Sequence, residues 1–158
     1  MGDSDEARTT HRCVRIAASG SGRAAPFDHA LLSHDERRVR RAVLTLSRGD
    51  RVALDLPDAT TLHHGSRLVL EDGREAEVVA AREDLLQIDD AGSRSLAELA
   101  WHLGNRHTPA QIEAERILVA RDDVLARMLE GLGATVREVT EPFEPLRGAY
   151  HSHGRHAH

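Results

Sequence analysis

Residues 95–109, "SLAELAWHLGNRHTP", define how the second half of the chain folds. A serine followed three residues later by glutamate is a capping-box pattern. The apolar residues after it recur at i, i+3, i+4 and i+7, the spacing of an amphipathic helix. Gly104-Asn105 suits a left-handed C-cap, and Pro109 blocks continuation of the helix. We therefore predict a helix that begins at Leu96 and stops at Gly104-Asn105.

Downstream, the pattern predicts a second helix and three strands. "DDVLARMLEGL" has one apolar face and predicts a helix from Asp122 or Asp123 through Leu132. "ATVREVTEPF" predicts a strand ended by Pro142. "ILVA" (117–120) is ambiguous, since it fits either a buried strand or a single helix from Ala110 to Leu132. With the strand interpretation, the order from 84 to 143 is that of a ferredoxin-like βαββαβ unit.

The first half of the chain has strand signals. "RRAVLTLSRGDRVALDLP" (40–57) contains two β-rich runs around Ser47-Arg48-Gly49-Asp50, which indicates a hairpin. Alternation in its second run places Val52, Leu54 and Leu56 on one face. "GSRLVLEDGREAEVVAA" (65–81) repeats the pattern around an Asp-Gly turn, and "VRI" (14–16) is a further short apolar run. Short strands at this spacing predict a small β-sandwich or barrel.

The predicted fold class is therefore α+β, with a small N-terminal β-sandwich or barrel domain and a C-terminal ferredoxin-like domain. The expected boundaries are a disordered extension (1–11), the β domain (12–84), the ferredoxin-like metal-binding domain (85–148) and a flexible His-rich tail (149–158).

Charge and composition exclude several classes of partner. The net charge is −5 with histidine neutral, so no global basic field recruits nucleic acid. The basic run "ERRVRR" (36–41) contains no aromatic for base stacking and indicates the solvated side of a strand. No apolar run approaches the length of a secretory signal or a membrane span. One cysteine, Cys13, excludes an internal disulfide. We expect a cytoplasmic protein that binds neither nucleic acid nor membrane.

Eleven histidines are the chemical signal of this sequence. Five of them, in the first half of the chain, are expected to be solvated: His11, His29, His34, His63 and His64. His102 and His107 are five residues apart, about 140° round a continuous helix, so one face could not present both to one ion. A helix stop between them releases His107. That residue is then either a metal ligand or a support for the helix dipole.

The last eight residues carry four histidines, His151, His153, His156 and His158, among Gly, Ser and Arg. Such a tract cannot form a core, and its composition is typical of metal binding. The chain has no His-Glu-x-x-His helix, nucleophile elbow or phosphate loop to indicate catalysis. We therefore predict a protein that is not an enzyme.

Three segments closely resemble the UreE family, the urease accessory nickel metallochaperones: "HLGNRHTPAQI" (102–112), "DDVLARMLEGLGATV" (122–136) and "EPFEPLRGAYHSHGRHAH" (141–158). The combination of "GNRH", "PFEP", "GAY" and a His-rich tail is specific. The resemblance runs from about residue 12 to the end and is strongest over residues 96–151. Before that it rests on strand pattern and on "RRAVLTL" and "LEDG".

The resemblance implies a homodimer formed through the second domain. His107 of each protomer would meet at the interface and bind one Ni²⁺, with tail histidines adding ligands and Zn²⁺ or Cu²⁺ competing in vitro. The metal would pass to the urease apoenzyme through a complex with an accessory GTPase. Some members carry a His-x-His pair before the second helix, where this chain has Arg121 and Asp123. We therefore expect no peripheral site there.

Two alternatives to the carrier remain open from the residues. A general divalent-metal buffer or store would need only the tail. A metal-dependent hydrolase would need a rigid site with about three ligands and an open position. Imidazole suits Ni²⁺, Zn²⁺ and Cu²⁺, so residue type alone does not select the metal.

Overall fold

Strands make up the first half of the described residues, and the second half combines strands with two helices. The computed structural model describes residues 9–90, 92 and 94–146. The chain divides into two units, residues 1–80 and 81–158. The predicted α+β class is confirmed. Neither of the two described helices has the length and apolar character needed to cross a membrane.

The first unit is one curled six-stranded sheet in the order β2-β6-β5-β1-β4-β3. Its strands are β1 (Thr10–Ala17), β2 (Asp28–Leu32), β3 (Arg38–Thr45), β4 (Arg51–Thr61), β5 (Arg67–Leu70) and β6 (Glu75–Ala80). β1 joins the two parts of the sheet, because it pairs first with β4 in parallel and then with β5 antiparallel. The sheet curls as a half-barrel around an apolar core. This is the barrel form of the predicted N-terminal domain.

Both predicted turns connect the strands that the sequence indicated. β3 and β4 pair antiparallel as a hairpin, and Gly49 in its loop has φ of 101°, a conformation that favours glycine. β5 and β6 pair antiparallel across the Asp-Gly turn, where Gly73 has φ of 85°. The predicted face of β4 is also confirmed, since Val52 and Leu54 are buried and Leu56 packs against them.

Four predictions for the first unit are wrong in detail. β1 begins at Thr10, inside the segment predicted to be disordered, and His11 on it is buried rather than solvated. The His11 ring lies 3.2 Å from the Asp50 carboxylate and edge-on to Phe27. His34 is partly buried beside Asp35. Arg37, from the basic run, is buried in the turn before β3, where its carbonyl accepts from the Leu62 N–H.

The second unit has the order strand, helix, strand, strand, helix, strand. Its elements are β7 (Arg82–Asp89), α1 (Leu96–Asn105), β8 (Ala110–Ile112), β9 (Arg116–Ala120), α2 (Asp123–Gly131) and β10 (Thr135–Pro142). The sheet order is β10-β7-β9-β8 with every neighbouring pair antiparallel. This confirms the ferredoxin-like unit. The residues 82–84, which we assigned to the first domain, begin β7 of the second.

Alternation along the strands gives this sheet two different faces. Leu86, Ile88, Ile117 and Val119 belong to the core that α1 and α2 cover. Their neighbours Leu85 and Leu118 point to the opposite face, because successive side chains of a strand alternate. "ILVA" is therefore a central strand buried on both faces, which is why its sequence is a continuous apolar run. The alternative of one long helix from Ala110 is wrong.

Candidate metal centre

Helix α1 leads directly to the first candidate ligand. The Ser95 hydroxyl accepts from the Glu98 N–H at 3.3 Å, as an N-cap residue does, and the Glu98 carboxylate accepts from Arg94 at 2.6 Å. Leu99 and Leu103 of the predicted apolar stripe are fully buried in the helix-covered core. The helix is therefore anchored at its start and along one face, and this fixes the position of its end.

The end of α1 differs from the prediction by two residues. Gly104 and Asn105 are helical, and Arg106 is the C-cap. The His107 N–H donates to the Gly104 carbonyl at 3.0 Å, and the Thr108 N–H donates to the Leu103 carbonyl at 3.2 Å. These two hydrogen bonds form a Schellman motif. The left-handed position of that motif falls on the histidine and not on Gly104 or Asn105.

His107 has φ of 55°, which makes it the one non-glycine residue with positive φ in the described part of the chain. Glycine usually occupies this position, because the Cβ of an L-residue crowds the backbone there. Histidine, asparagine and aspartate tolerate the conformation better than most other residues. The imidazole is exposed, and no hydrogen bond joins it to another described residue. A ring nitrogen of His107 is therefore available to a ligand at a fixed point of the backbone.

His102 has a different environment one turn earlier. It is partly buried in the last turn of α1, and its ring lies edge-on to Trp101 with ring centroids 5.1 Å apart. Trp101 itself is 64% exposed. This tryptophan was not among the predicted functional residues. Its place on α1, away from the buried apolar stripe, was the sequence signal that could have identified it as an exposed aromatic.

No three His, Cys, Asp or Glu side chains lie close enough to hold a metal ion among residues 9–90, 92 and 94–146. The other predicted ligands lie outside the described residues: His151, His153, His156 and His158. A metal site at His107 therefore needs ligands from the tail or from a second copy of the chain.

The positions of the His-x-His pair seen in some UreE proteins carry no imidazole in this chain. Arg121 forms an ion pair with Glu138 at 2.8 Å. Asp123 is the first residue of α2, one position after Asp122, whose side chain accepts from the Leu125 N–H at 2.8 Å. These residues cap the helix and tie it to the neighbouring strand, as their types predict.

A charged network lies near the end of the sheet and was not predicted. Arg116 donates to Glu113 at 2.6 Å and to Gln87 at 3.0 Å, and it lies 2.9 Å from Glu141. The Arg116 hydrogen bond holds the pKa of the Glu113 carboxyl below its usual value. These residues come from three separate parts of the chain, so no local pattern could reveal the network.

Comparison with known proteins supplies the family evidence. The chain matches the model of the UreE urease accessory protein N-terminal domain over residues 10–81 and that of the C-terminal domain over residues 83–158. It is 54% identical over 140 residues to the urease accessory protein UreE of Mesorhizobium japonicum, covering 88% of this chain and 71% of that protein. Identity to UreE of Rhizobium rhizogenes is 54% over 147 residues, covering 93% and 88%. For UreE of Agrobacterium fabrum it is 53% over 147 residues, covering 93% and 91%.

Proposed function

We propose that this chain, which belongs to the family of UreE urease accessory proteins, is a metallochaperone. It would carry Ni²⁺ for assembly of the urease active site. Family membership supports an accessory role in urease maturation in place of a catalytic one. The nickel cargo, the binding site and the partners of the transfer are the substance of the proposal.

The observation that carries the proposal is the conformation of His107. Its exposed imidazole sits at the left-handed position of a Schellman motif, where glycine would be the more stable choice. Strained backbone positions cluster at functional sites, and an outlier of this kind supports a functional hypothesis. Imidazole nitrogen is a good ligand for Ni²⁺. His107 is therefore the proposed fixed ligand.

Dimerisation would complete the site. A two-fold axis beside His107 turns one histidine per protomer into two ligands for one ion. Among residues 9–90, 92 and 94–146 of one protomer, no three His, Cys, Asp or Glu side chains lie together, so the additional ligands are proposed to come from the tail, with His151 or His153 first. Trp101, exposed on the same helix, offers the kind of aromatic surface that is enriched in protein interfaces.

A shared site of this kind suits a carrier. Ligands contributed by separate chain segments can be exchanged one at a time for those of a receiving protein, whereas a catalytic site needs a rigid pocket with an open position. The proposed recipients are the urease apoenzyme and its accessory GTPase, in the cytoplasm. Zn²⁺ and Cu²⁺ are expected to compete in vitro, because imidazole also binds them.

Calorimetric titration with Ni²⁺ and Zn²⁺ tests the proposal on the full-length chain. We expect His107→Ala to abolish the tightest nickel event, while His102→Ala, the matched control five residues away, leaves that event in place. Replacing the four tail histidines with alanine should lower the number of ions bound per dimer.

The same titration also tests the alternative that the protein is a general metal buffer. A buffer relies on the tail alone, so the tightest event would survive in His107→Ala and disappear with the tail histidines. That pattern would replace the carrier with the buffer.

A further inference from the structure

We propose that strand β10 is an interaction surface for a second copy of this chain, which pairs with it edge to edge in antiparallel orientation. The four-stranded sheets of the two copies then form one continuous sheet. This contact goes beyond the proposed nickel function and does not depend on it, because it uses none of the candidate metal ligands.

The two edge strands of the second unit differ in whether their outer side is covered. β8 is covered, because the Leu146 N–H donates to the Ala110 carbonyl at 2.8 Å. β10 pairs on its inner side with β7 over all of Thr135–Pro142 without a register shift. Among residues 9–90, 92 and 94–146, no strand and no backbone hydrogen bond lies on its outer side. Such an edge presents a row of N–H and C=O groups with which another strand can pair.

The segment that follows β10 turns away from this edge. Phe143 is fully buried with Leu85 and Leu118, which lie on the central strands β7 and β9. Leu146 then reaches Ala110 on the opposite edge strand. The chain as far as Leu146 therefore leaves the outer side of β10 open.

The charged side chains of β10 do not block pairing, because each is neutralised within its own unit. The three ion pairs are Arg137–Asp89 at 2.9 Å, Glu138–Arg121 at 2.8 Å and Glu141–Arg116 at 2.9 Å. Edge strands that resist pairing commonly present charged side chains, especially lysine. β10 contains no lysine, and its charges are balanced.

Charge complementarity selects one register for the pair. The two-fold axis passes between two copies of one residue, because a shift by one residue would exchange the faces of the strand. With Val139 at the axis, Arg137 of each copy faces Glu141 of the other. No other residue of β10 at the axis places opposite charges opposite each other. With Arg137 or Glu138 there, like charges face each other, which destabilises paired strands.

Both side chains of the intermolecular pair can be reached by a neighbour. The Arg137 side chain is 60% exposed and that of Glu141 is 33% exposed. Arg137 uses its Nε and Nη2 for Asp89, at 3.1 and 2.9 Å. Since a guanidinium carries five N–H donors, its Nη1 can serve a carboxylate of the second copy while the internal contact persists.

The apolar residues of the strand favour the same register. Val139 packs with Leu85, Leu118 and Phe143 and is still partly exposed. With Val139 beside its own copy, the remaining exposed surface of this side chain leaves water in both chains, and the two apolar clusters become continuous. β-branched residues also fit a half-buried sheet surface well. Charge and apolar pattern therefore agree on Val139 as the axis.

Two charge reversals test the pairing in the full-length chain, with a metal chelator present to exclude association through metal. Arg137→Glu leaves two glutamates and Glu141→Arg leaves two arginines, so each variant alone brings like charges opposite each other. A 1:1 mixture restores both opposite-charge pairs. In analytical ultracentrifugation over a concentration series, the unaltered chain should reversibly double the mass of its smallest species. We expect the association constant to fall at least about tenfold in each variant alone and to recover in the mixture.

The mixture is also the control for folding. Each variant loses its internal ion pair whether it is alone or mixed, so recovery in the mixture can come only from contact between chains. Failure of the mixture to recover, or a mass of the unaltered chain that does not change with concentration, would overturn the proposal.

Cysteine cross-linking tests the register without any charge reversal. In a Cys13→Ser background, Val139→Cys places two thiols opposite each other with Cα atoms about 5 Å apart, within the range of a disulfide. Glu138→Cys is the matched control, because its two copies do not face each other in this register. Under mild oxidation we expect a disulfide-linked dimer from Val139→Cys and not from Glu138→Cys. Equal yields, or a dimer from the control alone, would contradict the assigned register and the proposal with it.

Discussion

The conformation of His107 leads to a prediction in which stability and function move in opposite directions. The His107→Gly substitution removes both the imidazole and the Cβ that crowds the left-handed backbone, whereas His107→Ala removes the imidazole and keeps the Cβ. The comparison of these two variants therefore separates the effect of backbone strain on stability from the effect of losing the ligand.

The magnitude follows from the geometry of the turn. A left-handed conformation costs an L-residue roughly 1–2 kcal/mol, and His107 has φ of 55°. Glycine loses more backbone entropy on folding than alanine does, which offsets about 0.4–1 kcal/mol of that gain. The two hydrogen bonds of the Schellman motif are made by backbone groups and persist in both variants. The net expectation is that the glycine variant is more stable than the alanine variant by about 1 kcal/mol.

Thermal unfolding without metal and with excess Ni²⁺ provides the assay. For a domain of roughly 60–100 residues, about 1 kcal/mol shifts Tm by about 4–8 °C, so the glycine variant should unfold above both the alanine variant and the unaltered protein when metal is absent. With Ni²⁺ at about 100 times Kd, binding stabilises the unaltered protein by about 2.7 kcal/mol. Neither variant should gain that increment, and the order of stability should reverse.

Two results would refute this reasoning. Equal Tm values for the glycine and alanine variants without metal would show that the turn stores no backbone strain at His107. Retention of the nickel-dependent stabilisation by either variant would show that the imidazole is not the ligand of the tightest site.

Deleting residues 151–158 should lower the number of Ni²⁺ ions bound per dimer in calorimetry while the circular dichroism spectrum and the dimeric state are retained; an unchanged stoichiometry would exclude the tail as a ligand source. Metal-loaded protein assayed against urea and simple esters should match free metal, and turnover abolished by His107→Ala would instead indicate an enzyme. Phe143→Ala should lower the free energy of unfolding by about 3–5 kcal/mol in urea titration, because it empties the centre of a buried cluster. Arg116→Gln should lower Tm at neutral pH. The pKa of Glu113 is lower in the folded protein than in the unfolded chain, so its contribution to stability is present above about pH 4.3 and is lost as pH falls through the folded pKa. The difference between the two proteins should shrink as pH falls through that range.

Local signals were sufficient for most elements of the fold. The Ser95 cap, the start of α2 at Asp122-Asp123 and the Asp-Gly turn each depend on residues within four positions of one another, and all three appear where they were predicted. "ILVA" could not be assigned from its own residues, because a short apolar run fits a buried strand and a buried helix equally well. Burial on both faces of the four-stranded sheet decides for the strand.

The candidate ligand could be named from the sequence, but the backbone conformation at its position could not. A histidine two residues after Gly104-Asn105, with a His-rich tail, was enough to name His107 as a ligand candidate. The glycine and asparagine suggested the wrong left-handed residue, since both tolerate that conformation. The buried stripe of α1 extends to Leu103, which keeps the helix regular through Asn105 and moves the left-handed residue to His107.

By itself the sequence determined the two-domain α+β organisation and the two helices and last strand of the second domain, and it named the candidate metal ligands by residue type, because each depends on residue type and short-range spacing. Tertiary structure alone decided the contacts between distant segments. His11 is buried against Asp50 because β1 pairs with the start of β4, and the Leu146 N–H reaches the Ala110 carbonyl although β10 and β8 lie at opposite edges of one sheet. Pairings over such separations depend on the packing of the whole sheet, which no short stretch of the chain encodes.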